Sequence, residues 1–137
     1  MEIRTTYIGI NENGNHVREE KLPAGKRILL GVPKESEETI AIRQELLEYG
    51  KANDDILSIS FLTKVEEDTK VVRHLVVLEF NEGFSTEDMK PHMEAIYQKV
   101  KPHAKEITQI EYAIKGRIPA IDDVVAQHAL QMVVYKK

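Results

Sequence analysis

The chain contains no cysteine. That single absence excludes disulfides, iron–sulfur clusters, thiolate zinc sites and cysteine nucleophiles. No apolar run approaches the ~18 residues that a membrane-spanning helix needs. The N-terminus, MEIRTTYIGI, lacks the charged-then-apolar pattern of a secretory signal. Cytoplasm is therefore the expected compartment, and no membrane partner is expected. An excess of basic charge is missing too. Nineteen Lys and Arg stand against 23 Asp and Glu, a formal charge of −4. A duplex-binding protein shows a basic face, because phosphate neutralisation supplies most of its affinity. No nucleic-acid partner is expected. Repeats and low-complexity tracts are absent as well.

What is present suits one globular domain. The 137 residues are 42 % apolar, and a chain of this length buries about 65–70 % of its unfolded surface in one core. Residues 1–22 read as an N-terminal strand or hairpin extension, with an Asn-Gly turn signal in 11-NENGN-15. Residues 23–137 read as one α+β domain. Within it, 27-RILLGV-32 is a short apolar strand entered through Pro23-Ala24-Gly25. Ser36 is the expected N-cap of a helix that carries Glu37 and Glu38 in its first turn and ends near 50–53. The expected stripe of that helix is Ile40, Arg43, Leu46, Leu47 and Gly50, with Ile42 and Tyr49 beside it. Next, 56-ILSISFLTKV-65 alternates, with Leu57, Ile59 and Phe61 opposing Ser58 and Ser60. After the polar turn 66-EEDTK-70, 71-VVRHLVVLEF-80 is a strong strand. The segment 85-STED-88 opens a second helix running to about Lys101, with Pro91 either inside it as a kink or marking a later start. Then 106-EITQIEYAI-114 alternates again. The stretch 120-AIDDVVAQHALQM-132 reads as an amphipathic helix with stripe Ile121, Val125, His128, Ala129 and Met132, followed by a short terminal VVYKK.

From Arg27 to Ile114 the order is β-α-β-β-α-β. That order matches a ferredoxin-like core, an antiparallel sheet with two helices on one face. In such a sheet the strands at 27–32 and 71–80 lie centrally, and the alternating strands at 56–65 and 106–114 lie at the edges. Ile28 and Leu30 face opposite to Leu29, and Leu75 and Val77 oppose Val76, Leu78 and Phe80. Two helices cover only one face. The other needs the N-terminal strands, the C-terminal helix or another subunit.

Chemistry-bearing motifs are few. The Gly25-Lys26 pair suggests a phosphate-binding loop, but that pattern needs glycine where Glu20 stands, Ser or Thr where Arg27 stands, and a following helix rather than a strand. Five histidines, His16, His74, His92, His103 and His128, are scattered. Asp88 and His92, four apart on one helix face, are the best local pair, without a visible third ligand. His74 in a strand and His128 on an apolar stripe read as buried or core-edge histidines that need hydrogen-bond partners. Glu66-Glu67-Asp68 sits at a turn and Asp122-Asp123 at a helix start, where solvation and the helix dipole account for them. The strands expected at the centre offer Leu, Val and Ile, with Phe80 only at one end, so the aromatic platform of an RNA-binding sheet is missing. No catalytic, cofactor-binding or metal-binding residue is assigned, and no cofactor.

The segment 24-AGKRILLGVPKESEETIAIRQELLEYGKANDDILSISFLTKV-65 resembles the C-terminal domain of the enhanced serine sensitivity protein B family. The resemblance lies in a G-x-x-apolar-apolar-apolar-G-x-P strand, an acidic helix start, and the strand 74-HLVVLEF-80; the end 134-VYKK-137 is similar to a family ending. It covers about four-fifths of the chain. Two departures stand out: S-I-S-F-L replaces the expected A-A-Y-L, and the ending lacks its Pro-Phe. The resemblance implies no enzymatic activity and no catalytic residue. The expected function is accordingly a non-enzymatic interaction or regulatory module, self-associating through the open sheet face. The expected partner is a second copy or another protein. The alternative is a domain that senses a small ligand, an amino acid or metabolite.

Overall fold

A computed structural model describes residues 4–10, 16–21, 27–67 and 69–137, with side chains from residue 28 onward. The turns expected at 11–15 and at Gly25, and Asp68 of the acidic turn, lie outside the described residues. The elements in chain order are β1 (Arg4–Ile10), β2 (His16–Lys21), β3 (Arg27–Gly31), α1 (Glu37–Ala52), β4 (Ile56–Glu66), β5 (Val71–Phe80), α2 (Thr86–Val100), β6 (Gln109–Ile114), α3 (Pro119–Gln127), α4 (Ala129–Met132) and β7 (Val133–Lys136). A single 3₁₀ turn, Lys101–His103, extends α2.

The class is α+β, and the sheet is mixed. Its order is β1-β2-β3-β4-β5-β6, with β7 also paired to β4. Every pairing is antiparallel except β5 with β6, which α2 connects in parallel. This order differs from the expected ferredoxin-like one. There β3 would lie beside β5; here it pairs with residues 63–66 of β4. The alternating strand β4, expected at an edge, is central. It is 11 residues long, enough for β3 to pair near one end and β7 at Ser58, Ile59 and Ser60 near the other. Alternation misled because Ser58 and Ser60 are themselves buried, at 7 % and 3 % exposure.

Two cores flank the sheet. Ile59 and Phe61 of β4 and Val76, Leu78 and Phe80 of β5 pack against Ile42, Leu46 and Tyr49 of α1 and Met89, Ile96 and Val100 of α2. On the opposite face, Leu30, Leu62, Leu75, Val77 and Ala113 meet Ile121, Val124 and Val125 of α3 and Met132 of α4. The alternation of β3, β4 and β5 therefore assigns faces as expected, and the C-terminal helical segment is what covers the second face. Each fully buried Leu, Ile or Phe contributes about 1.5–3 kcal/mol.

Both long helices start as their sequences direct. Ser36 and Thr39 form a reciprocal capping box on α1, and Ser85 and Asp88 form one on α2. Pro91 sits inside α2, exposed to solvent. The buried stripe of α1 is rotated from the expected one, to Thr39, Ile42, Leu46, Tyr49 and Gly50, and leaves Ile40 exposed. The expected helix over 120–132 is broken at His128, whose backbone leaves the helical region (φ −125°, ψ 35°). The break swings Met132 into the core and delivers 133–136 to β4, so Ala129 faces solvent and the terminal VVYK is a sheet strand.

Gly50 lets α1 come up against β7. A Cβ placed there would run into the ring of Tyr135. In an open helix Gly→Ala gains about 1 kcal/mol. Here Gly50→Ala is expected to destabilise by about 1–3 kcal/mol through overpacking. The shift in urea midpoint measures it, and the loss should shrink in the Gly50→Ala, Tyr135→Ala double variant.

Candidate functional site

Glu38, in the first turn of α1, gathers four hydrogen bonds on its carboxylate. Its Oε1 accepts the backbone N–H of Lys105 (2.8 Å) and of Glu106 (2.7 Å), and its Oε2 accepts that of Ile107 (3.2 Å). His74 of β5, fully buried, places Nε2 2.8 Å from the same Oε2. An ionised carboxylate only accepts, so Nε2 carries the proton and Nδ1 is the bare nitrogen. Nδ1 is buried without a partner. A proton added there would have no acceptor, and burial pushes the imidazole pKa down against the opposing pull of Glu38. Burial also pushes Glu38 up. The Glu106 amide, the His74 ring and the amides of Lys105 and Ile107 outweigh it and hold the carboxyl at about 2. The pair is an ionised Glu38 and a neutral His74. It clamps the start of α1, β5 and the approach to β6.

The Asp88–His92 pair suggested by spacing does not form. Asp88 turns back to cap α2, accepting the Ser85 N–H at 3.0 Å, and this hydrogen bond lowers its pKa. His92 turns the other way. Its Nδ1 lies 2.7 Å from the Tyr49 hydroxyl, and its ring packs against Phe80 and Phe84. His103 pairs with Glu45 at 3.0 Å. Glu66 pairs with Arg73 at 2.9 Å, and both Asp122 oxygens accept the N–H of Gly116, at 3.1 and 3.0 Å. His128 sits at the junction of α3 and α4. Among the described residues, no group of three or more His, Asp or Glu could hold a metal ion, and no helix is long and apolar enough to cross a membrane.

Two further features were not legible beforehand. A cavity of about 200 Å³ lies beneath α3, floored by Ser58, Ser60 and Val77 and edged by Lys115, Asp122 and Lys136. A shallow corner of mixed polarity, with Glu35 and Arg43 among its lining, lies where β3 leaves the sheet. There Val32, Pro33 and Ile40 adjoin Leu130 and Gln131 of α4, and Leu130 is 97 % exposed. The signal for the cavity was present in the two serines, read as the polar side of an edge strand. The partner of His74 was present too, read as a dipole residue. No family model, no curated protein and no solved structure matches the chain.

Both members of the buried pair make the fold acid-sensitive. A histidine whose pKa is lowered by folding contributes stability that is complete above its ordinary value of 6.5 and declines as pH falls. A carboxylate lowered from 4.5 to about 2 contributes stability that is complete above 4.5 and lost on the way down to 2. The urea midpoint is therefore expected to fall in two stages, from about 6.5 downward and again below about 4.5. Glu38→Gln should lower stability at neutral pH by about 1–3 kcal/mol and flatten the lower stage, as a pH series of urea melts reads directly.

Proposed function

We propose that the chain is a non-enzymatic protein-interaction or regulatory module, of the kind that the resemblance to the C-terminal domain of the enhanced serine sensitivity protein B family implies, and that its partner is a second copy of itself. The observation that carries this reading is the corner around Leu130. A leucine at 97 % exposure stands beside Ile40 at 53 %, on a segment held to α1 by the Arg43 guanidinium bonded to the Gln131 carbonyl. Isolated exposed leucines are ordinary; two large apolar side chains beside a recess of mixed polarity, lined by Val32 and Pro33 and by Glu35 and Arg43, on a pinned backbone suit a contact. The apolar part of the second sheet face is packed by α3 and α4, so the association is assigned to this corner rather than to that face. The non-enzymatic reading is supported by what the polar side chains do: His74, His92, His103, Asp88 and Asp122 are each engaged in a contact that holds the fold.

A second reading, a domain that senses a small ligand, is favoured by the cavity beneath α3.

Sedimentation velocity over a concentration series tests self-association. The sedimentation coefficient should rise with concentration, and Leu130→Glu should suppress the rise while leaving the thermal melt unchanged. A strict monomer at the highest concentration, or association indifferent to Leu130→Glu, would remove the assignment.

A further inference from the structure

We propose that the cavity beneath α3 binds a small monocarboxylate, anchored at Lys136 and Ser60. The proposal rests on the small-ligand reading and names its ligand class.

The floor is the first argument. Ser58, Ser60 and Leu62 lie on one face of β4, and from Leu62 onward that face is filled by the apolar side chains under α3. At Ser58 and Ser60 the same strand presents hydroxyls, nearly buried, to an open space. The Ser58 hydroxyl donates to Glu79 at 2.9 Å. The Ser60 hydroxyl makes no side-chain hydrogen bond among the described residues and opens on the cavity, so it is free to bond an occupant.

Size is the second. About 200 Å³ corresponds to roughly six waters at their liquid share of ~30 Å³ each. It falls below the ~300 Å³ at which drug-sized pockets begin. A ligand of a few heavy atoms fits.

Charge is the third. Two acids lie near the rim, and both are engaged: Asp122 by the Gly116 amide, Glu79 by Ser58 and, at 3.5 Å, by Lys115. Lys136 differs. It stands opposite Ser58 in the β4–β7 register, so its side chain leaves the same face of the sheet, and it makes no ion pair among the described residues. Asp122 keeps its charge, but it is turned to the Gly116 amide, so Lys136 is the rim lysine left without an ion-pair partner among the described residues, beside a hydroxyl that can donate. The walls are apolar, with Val77 on the floor, Val125 from α3 and Val133 from β7. A carboxylate head at Lys136 and Ser60 with a short alkyl tail along the valines satisfies all three.

The test uses the full chain, labelled with nitrogen-15, and three probes of one size: propionate, the uncharged propionamide and the cationic propylamine. Propionate is expected to give saturable amide shifts confined to residues 58–60, 122–129 and 133–136. Lys136→Gln, at an exposed position, should weaken it by about tenfold, the effect of one charge-assisted hydrogen bond. Ser60→Val should abolish the shifts while the rest of the spectrum keeps its dispersion. Saturable binding of propionamide or propylamine without propionate would overturn the carboxylate and leave the small-ligand reading standing. No saturable shift with any of the three would overturn both. A propionate site indifferent to Lys136→Gln and Ser60→Val would overturn this placement.

Discussion

The structure depends on how one strand satisfies its outer edge. β4 runs antiparallel to β5 along almost its whole length, and its other edge faces the interior between two helical layers. Buried backbone amides must be paired. No single neighbour does this: β3 supplies partners for residues 63–66, and β7 supplies them for residues 58–60. The two come from opposite sides of the β4–β5 hairpin in sequence. The chain must therefore return to β4 after building everything else. The break at His128 and the crossing of α3 over the second face follow from that return.

A second constraint joins the layers at the opposite end of the sheet. Three consecutive amides at 105–107 converge on one carboxylate, and His74 donates to it from the sheet. Breaking such an arrangement strands the fully buried His74 N–H and the part-buried amide of Ile107, while the amides of Lys105 and Glu106 lie where water can reach them. This is why a chain with a histidine, an acid and a buried unpaired ring nitrogen need not be read as catalytic. The same atoms that resemble a relay are accounted for by fixing where α1 begins relative to β5.

Much of this was legible in the residues, element by element. Ser36 and Ser85 announce their helices, and the caps form there. Val71 to Phe80 is the strand its β-branched run implies. That Leu75 and Val77 lie opposite to Val76 and Leu78 follows from a period of two; that Leu30 shares the face of Leu75 and Val77 is set by the strand pairing. Strand order was not legible, because element order and binary pattern do not encode which edge pairs with which. The serines of β4 show why. A polar residue that faces a cavity and one that faces solvent leave the same mark in the sequence. The Glu38–His74 contact joins residues far apart in the chain, and an acid in a helix's first turn already has a local explanation. The terminal Val-Val-Tyr carried strand propensity, but four residues beside a helix invite reading as a tail.

The shared edge of β4 also bears on how the fold is assembled. The hairpin with β5 is local and closes early, whereas pairing with β7 waits for a contact of high sequence separation. During that interval half an edge of a long strand is open, the condition under which sheets recruit other chains. The residues at that half-edge are Ser58, Ile59 and Ser60, and at the first and third an all-apolar strand would have placed valine or isoleucine. Alternating hydroxyls there lower the stickiness of a surface that only the last strand will close.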